Sequence, residues 1–105
     1  MIGALRQRIE LLRPQRLADG GGGWEVGYQS VGSIAAGVEG RRARSERSLD
    51  SRRTRRRRRF TIRTRPDLVF EMRIAHGGRH YRIVDIQPLD QGGRFTRIEA
   101  EEIPA

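Results

Sequence analysis

A block of arginine in the middle of the chain constrains the fold more than any other feature. It runs from Arg41 to Arg59, ends in an unbroken arginine run from Arg55 onward, and has Leu49 as its only large apolar residue. A block of like charge with nothing to bury stays solvated until an anionic partner neutralises it. Strand-like alternation precedes and follows the block. We therefore expect residues 40–59 to form an extended basic loop within a single domain, residues 1–105.

The composition favours one small domain with an anionic partner. The length of 105 residues suits one domain with a modest core, and the formal net charge of +9 favours nucleic acid, an acidic protein face or an anionic surface. The chain contains no lysine. Codon usage in a GC-rich genome explains this, and so does the forked binding of guanidinium to phosphate and carboxylate; the two explanations are compatible.

Several classes of site and location are excluded. No cysteine occurs, so disulfides and thiolate metal sites are ruled out. No apolar run reaches the roughly 20 residues of a membrane span. Arg6, Arg8 and Glu10 interrupt the N-terminal segment, which therefore lacks the apolar centre of a signal peptide. We expect no membrane partner and a protein that stays in the compartment where it is made.

The first half of the chain is predicted to form two strands. Leu5–Arg13 alternates and ends at Pro14, although a helix over residues 3–12 is a competing interpretation. A glycine-rich turn within residues 17–23 leads into Trp24–Val38, whose internal glycines indicate bulges or bends. A lone tryptophan at a strand start more often packs in the core or at an edge than stacks on a base.

Four further strands are predicted after the block, in Phe60–Arg65, Met72–Ala75, His80–Ile86 and Arg94–Ile103. His80–Ile86 carries apolar residues on both faces, so we expect it to be central and buried. Repeated strands without a strong helix predict an all-β fold, and we expect a small, mostly antiparallel β-barrel. The residues expected to make its apolar contacts include Phe60, Ile62, Met72, Ile74, Tyr81, Ile83, Phe95 and Ile98, with Asp85 as an uncertain inward position.

No catalytic constellation, cofactor site or metal site is evident. His76 and His80 are separated by a Gly-Gly turn rather than a helical turn, so they do not make a zinc pair. Glu101 and Glu102 are adjacent, and a strand points them to opposite faces, which prevents joint acid/base catalysis. We expect no enzymatic activity. A nuclease site assembled only by folding is the weakest hypothesis left open.

The basic loop can offer contacts to phosphate or carboxylate. It contains no aromatic residue, so contacts to nucleic acid would be to phosphate, independent of sequence and weakened by salt. Ordinary solvated surface is the alternative, but close-packed like charges raise the free energy of the folded state unless a partner offsets them. The predicted DNA- or partner-facing residues are Arg41, Arg42, Arg44, Arg47, Arg52, Arg53, Arg55, Arg56, Arg57, Arg58 and Arg59.

A series of motifs covers nearly the whole chain. Its members are LRQRIELLRP from Leu5, a turn closing on Gly23-Trp24, IAAGVEG, RFTIRTRPDL, MRIAHGGRHYRIVDIQP and a final IEAEEI. In order and spacing these motifs resemble the head-closure, or head–tail joining, proteins of long-tailed bacteriophages and gene transfer agents. This chain departs from that pattern in lacking a bulky aromatic near Ala35 and in the arginine density of its loop.

The resemblance implies a structural protein without a cofactor. It implies a β-barrel that assembles into a ring of roughly 6 or 12 copies, as stopper or adaptor beneath the portal. Such a ring retains packaged double-stranded DNA and docks the tail terminator or tail tube protein. It further implies that the long loop lies toward the central channel, and that the protein is made in the bacterial cytoplasm and ends in the particle neck.

An alternative function follows from the residues alone. A basic all-β domain can be a free nucleic-acid-binding barrel of OB or SH3-like type. Such folds use aromatic side chains on an exposed strand face to stack bases. Exposure of the aromatic residues therefore discriminates between the two hypotheses.

Overall fold

Residues 5–41 and 56–104 are described by this computed structural model, apart from the side chain of Arg41. Within these ranges the regular structure consists of strands, and no helix there could span a membrane. The strands are β1 (Gln7–Ala18), β2 (Trp24–Arg41), β3 (Arg57–Arg63), β4 (Arg73–His76), β5 (Arg79–Pro88) and β6 (Phe95–Glu102).

The strands close into a barrel in the order β1-β2-β3-β6-β5-β4. Every neighbouring pair is antiparallel, and the pairing of β1 with β4 over Glu10–Leu12 completes the ring. The expected all-β barrel is confirmed, and the competing N-terminal helix is wrong because Gln7–Ala18 is a strand.

Side chains that alternate along the strands fill the barrel. Phe60 lies against Tyr81 with ring centroids 5.4 Å apart and against His76 at 6.0 Å, both edge to face. Edge-to-face contact is a favoured geometry for aromatic pairs. The inward positions predicted for β3, β4 and the start of β5 are confirmed. The buried apolar residues are Ile9, Leu11, Ala36, Phe60, Ile62, Met72, Ile74, Tyr81, Ile83, Ile98 and Ala100.

β1 and β2 continue beyond the barrel as a two-stranded hairpin, residues 13–30, which we call the arm. β4 pairs with β1 only as far as Leu12, and β3 pairs with β2 only from Gly37 onward. The first strand was expected to end at Pro14, but it runs on to Ala18. Pro14 is tolerated because β1 is an edge strand there, with β2 as its one neighbour.

A side-chain cap and a bulge shape the arm. Asp19 accepts hydrogen bonds from the backbone N–H groups of Gly21 and Gly23, at 2.8 and 2.9 Å, and these two bonds lower its pKa. Where the arm meets the barrel, the pairing skips a residue of β2, and Gly32 adopts a φ of 134°. Glycine is suited to that left-handed conformation. The skipped residue confirms the bulge expected in the second strand.

Two expectations about side-chain placement are wrong, and a third is narrowed. A bulge between Ile83 and Asp85 shifts the register, so Ile86 packs against the core and β5 buries one face only. Phe95 lies on the outer face, because Thr96, Ile98 and Ala100 are the buried positions of β6. Of the two packing positions expected for Trp24, the core and an edge, the core is excluded, since 63% of the residue is exposed.

Phe60 and Phe70 form a matched pair for measuring the core. Phe60 is fully buried, whereas Phe70 is 53% exposed. We expect Phe60→Ala to lower the free energy of unfolding by about 3–5 kcal/mol through lost burial and a residual cavity. The same truncation at Phe70 should cost less than about 1 kcal/mol. Urea unfolding followed by circular dichroism measures both, and equal losses would contradict the barrel packing.

A short ion pair organises the connection between β3 and β4. Arg65 donates to both carboxylate oxygens of Asp67, at 2.6 and 3.0 Å, and this hydrogen bonding holds the pKa of Asp67 below its ordinary value of 3.8. Because the folded-state pKa is lowered, the contribution to stability is present above the ordinary pKa and is lost as the pH falls through the folded value.

Replacing Arg65 with glutamine should therefore raise the pKa of Asp67 toward 3.8. An NMR titration of the side-chain carboxyl carbon measures the shift. Asp19 is the internal control, because backbone amides rather than Arg65 lower its pKa. An unchanged Asp67 titration in the variant would show that the ion pair does not form in solution.

Candidate functional site

The arginine block leaves the barrel at one end, which we call the loop end. β2 ends there and β3 begins there, with Arg41 paired to Arg57 and Gly40 to Arg58. β6 also ends there, where the backbone N–H of Glu102 donates to the carbonyl of Arg56 at 2.8 Å. Regular pairing thus extends into the expected loop from both sides, because the strand predicted to begin at Phe60 begins at Arg57.

Glutamates on the outer surface neutralise Arg59. Its Nε donates to Glu99 at 3.0 Å, and its guanidinium lies 3.9 Å from Glu39. The three residues sit on β2, β3 and β6 at matching register positions, so they face the same way. The Arg59 and Glu99 side chains are 30% and 19% exposed, which limits solvent screening of the pair.

Two arginines of β5 are paired with β6 in the same way. Arg82 donates to Glu101 at 2.8 Å, and Arg79 donates to Glu102 at 3.0 and 3.2 Å. The two adjacent glutamates thus have different arginine partners, in agreement with the opposite faces expected for them. We call Glu39, Glu99, Glu101 and Glu102 the glutamate collar of the loop end. Each of them is paired with an arginine, so the collar compensates positive charge beside the block.

Arg58 points toward the barrel mouth instead. Its Nε donates to the hydroxyl of Tyr81 at 3.1 Å, and Tyr81 is 1% exposed. A buried tyrosine hydroxyl needs a partner, and the guanidinium supplies it. Arg58 therefore belongs to the structural closure of the barrel end.

Arg56 and Arg57 are exposed, and neither side chain has an ion pair with a described residue. They are the described arginines of the block that are available to an external anion. Of the other predicted site residues, Arg41 lies in β2, while the rest lie outside the described residues: Arg42, Arg44, Arg47, Arg52, Arg53 and Arg55.

The glutamate collar is what sequence reasoning missed. Its signal is present in β6, where Glu99 and Glu101 alternate with inward Ile98 and Ala100. Alternation shows that the glutamates face outward, but it does not show which strand lies beside them. Only the β3–β6 register places Arg57 opposite Glu101 and Arg59 opposite Glu99.

The histidines serve no metal site in the described part of the chain. His76 Nε2 lies 3.2 Å from the side-chain oxygen of Gln7, and His80 pairs with Ala75 across the hairpin. No group of metal-ligating side chains is found among the residues that the structure describes.

Arg59 and Arg57 provide a matched test of the collar. We expect Arg59→Gln to destabilise the fold by about 1 kcal/mol, since half-buried Glu99 loses its arginine at a partly screened site. Arg57→Gln removes the same charge from an exposed position and should change stability by less than about 0.5 kcal/mol. Chemical unfolding at low and high salt measures both, and the Arg59 effect should shrink with salt. Equal effects of the two variants would argue against the collar.

Comparisons with known proteins cover the whole fold. The family model described as phage head completion protein matches residues 1–103. A chain from the virion of a native gene transfer agent particle is 25% identical, with 95% of this chain and 96% of that chain covered and a TM-score of 0.63. The solution structure of protein SF1141 from Shigella flexneri 2a is 22% identical over 96% and 95% of the two chains, with a TM-score of 0.72. That second likeness shows the fold alone. Among curated protein sequences no match is found.

Proposed function

The chain belongs to the family of phage head completion proteins, and from this premise we propose that it joins head to tail in a phage or gene transfer agent particle. The family match carries this proposal. The likeness to a chain of a gene transfer agent virion supports it. The proposed role is structural: the protein is a component of the particle neck, in contact with other head and tail proteins, and performs no catalysis.

The finer part of the proposal is a ring that retains DNA. Copies of the barrel, roughly 6 or 12, surround the channel beneath the portal or adaptor, and the opposite face of the ring docks the tail terminator or tube. The arginine block of each copy lies toward the channel. Guanidinium groups bind phosphate through forked hydrogen bonds and stay charged at any working pH, so they suit contact with packaged double-stranded DNA or with acidic neighbours.

The geometry of the loop end supports this assignment. Arg58 and Arg59 are held by the barrel, through Tyr81 and the glutamate collar, and they fix where the block leaves the surface. Arg56 and Arg57 are the first described arginines free to contact a partner. We therefore assign the anchoring role to Arg58 and Arg59 and the partner contact to Arg56, Arg57 and the arginines that precede them.

Deleting the gene from a particle-producing strain tests the function. We expect heads that fail to join tails, with the wild-type copy restoring tailed particles and labelling of that copy placing it in the neck. A chain in which arginines 52–57 are replaced by glutamine keeps the anchoring pair. It should still enter the neck but release packaged DNA more readily, as measured by nuclease sensitivity. Normal, filled, tailed particles from the deletion strain would overturn the proposal.

One observation favours the second candidate, a free nucleic-acid-binding barrel. Trp24 is 63% exposed on a strand face, as a stacking surface requires. Phe60 and Tyr81 are buried, however, so neither ring is accessible for stacking on a base. We expect the isolated protein to bind duplex DNA weakly, independently of sequence and with a steep salt dependence. Filter binding at rising salt measures this, and tight sequence-selective binding of single strands would favour the second candidate instead.

A further inference from the structure

The outer face of the arm is an exposed surface rich in aromatic and arginine side chains. Trp24, Val26 and Tyr28 alternate along β2, and they pair with Ala18, Arg16 and Pro14 of β1. Cross-strand partners share a face, and this face is opposite to that of core residue Leu11. Trp24 and Val26 are each 63% exposed.

Arginines stack on both aromatic rings of this face. Arg16 lies over Trp24, with its guanidinium carbon 5.7 Å from the ring centroid, and Arg73 lies over Tyr28 at 4.1 Å. Tryptophan, tyrosine and arginine are the residues that dominate protein–protein interfaces, where desolvation strengthens such pairs. The face thus combines apolar anchors with positive charge.

Carboxylates face outward on the far side of the barrel. Asp85 of β5 and Glu99 of β6 are register partners, and Glu101 follows two residues later on the same face. Like charges directly opposite each other destabilise a sheet. Asp85 accepts a hydrogen bond from the neutral amide of Gln87 at 2.7 Å, which does not compensate its charge. Glu99 and Glu101 are already paired with Arg59 and Arg82, so Asp85 is the carboxylate of this face that has no arginine partner among the described residues. We call the face formed by Asp85, Glu99 and Glu101 the acidic wall.

Strand order places the strands that carry the arm and those that carry the acidic wall on opposite sides of the barrel. In the sequence β1-β2-β3-β6-β5-β4 around the barrel, β1 is three places from β6 and β2 is three places from β5. Two complementary surfaces on opposite sides of one chain allow head-to-tail association, which closes into a ring when the rotation fits.

We propose that the outer face of the arm docks on the acidic wall of a second copy of this chain, with Arg16 of one copy facing Asp85 of the next. The partner is a second copy because Arg16 on the outer face of the arm and Asp85, the wall carboxylate without an arginine partner among the described residues, complement each other in charge. The inference rests on the ring of the proposed function and names the surfaces that would form it.

Cysteine pairs test the contact directly, since the chain contains no natural cysteine. Particles carrying the double variant Val26→Cys/Gln87→Cys, which keeps Arg16 and Asp85, should give a ladder at multiples of the 12.0 kDa chain after treatment with a short bismaleimide. Gln87 is exposed beside Asp85 on the same face of β5. The control is Leu17→Cys/Gln87→Cys, because Leu17 lies on the inner face of the same arm over Gly27. It should give far less ladder, as should each single variant.

A charge exchange provides the second measurement. Arg16→Glu and Asp85→Arg should each weaken self-association by about tenfold, as expected for loss of one close charge pair. The two changes together should restore it. Circular dichroism and thermal unfolding verify that each variant folds, and crosslink yield in particles and sedimentation of the purified chain report association.

The outcomes separate this inference from the proposed function. If the chain is present in the neck and both introduced cysteines react, but only monomer or a product with another protein appears, the interface is overturned while the neck function stands. Loss of the ladder when nuclease treatment precedes crosslinking, with no charge-exchange rescue, would show that nucleic acid bridges the copies and would also overturn the interface. If the purified chain forms the ladder but the chain itself is absent from particles, the interface stands and the neck function is contradicted.

Discussion

Closure of the sheet is the constraint on which the rest of the structure depends. Only Glu10–Leu12 of β1 pair with β4, yet this pairing closes the ring, because the N-terminal hairpin is joined to the remaining strands on its other side through β2 and β3. It encloses Leu11 and Ile74, which are both fully buried. Because the ring is closed, every strand of the barrel has a paired neighbour on both sides over part of its length. In the arm, β1 and β2 pair with each other alone among the described strands.

β6 links the core to the charge balance of the loop end. Thr96, Ile98 and Ala100 point inward, while Glu99 and Glu101 point outward beside the arginines of β3 and β5. One alternating strand therefore fills the barrel with one face and compensates arginine with the other. The physical consequence is a division among the described arginines at the start of β3: Arg58 and Arg59 are held by the fold, whereas Arg56 and Arg57 are exposed to solvent.

Local patterns predicted the elements because they act over a few residues. Alternation placed Phe60 and Ile62 in the core, and the Gly77-Gly78 pair marked a hairpin whose two φ angles, 61° and 79°, suit glycine. The misses have non-local causes. Pro14 stays within a strand because β2 is its one pairing neighbour among the described strands, so its missing N–H breaks no ladder on the other side. Ile86 rather than Asp85 faces inward because of a bulge.

The candidate site shows the same division. The sequence alone identified the arginine block, since the clustering of arginine between residues 41 and 59 can be read without knowing the fold. Its pairing with the glutamate collar depends on register between strands some forty residues apart, as for Arg59 and Glu99. Periodicity shows which face of a strand a side chain lies on, but it does not show which residue of the adjacent strand lies beside it. The division between anchoring and exposed arginines therefore could not be predicted.

Charge also sets a condition on assembly. If copies form the proposed ring, each adds its basic block to a shared channel, and repulsion between blocks opposes closure of the ring. The glutamate collar offsets only the arginines beside it, and a Debye length of about 8 Å at physiological salt limits the repulsion to arginines that come within about that distance of one another. A polyanion in the channel removes that repulsion, whereas a contact between arm and acidic wall opposes it without DNA. The relative strength of these two effects determines whether the ring closes before DNA arrives or only around it.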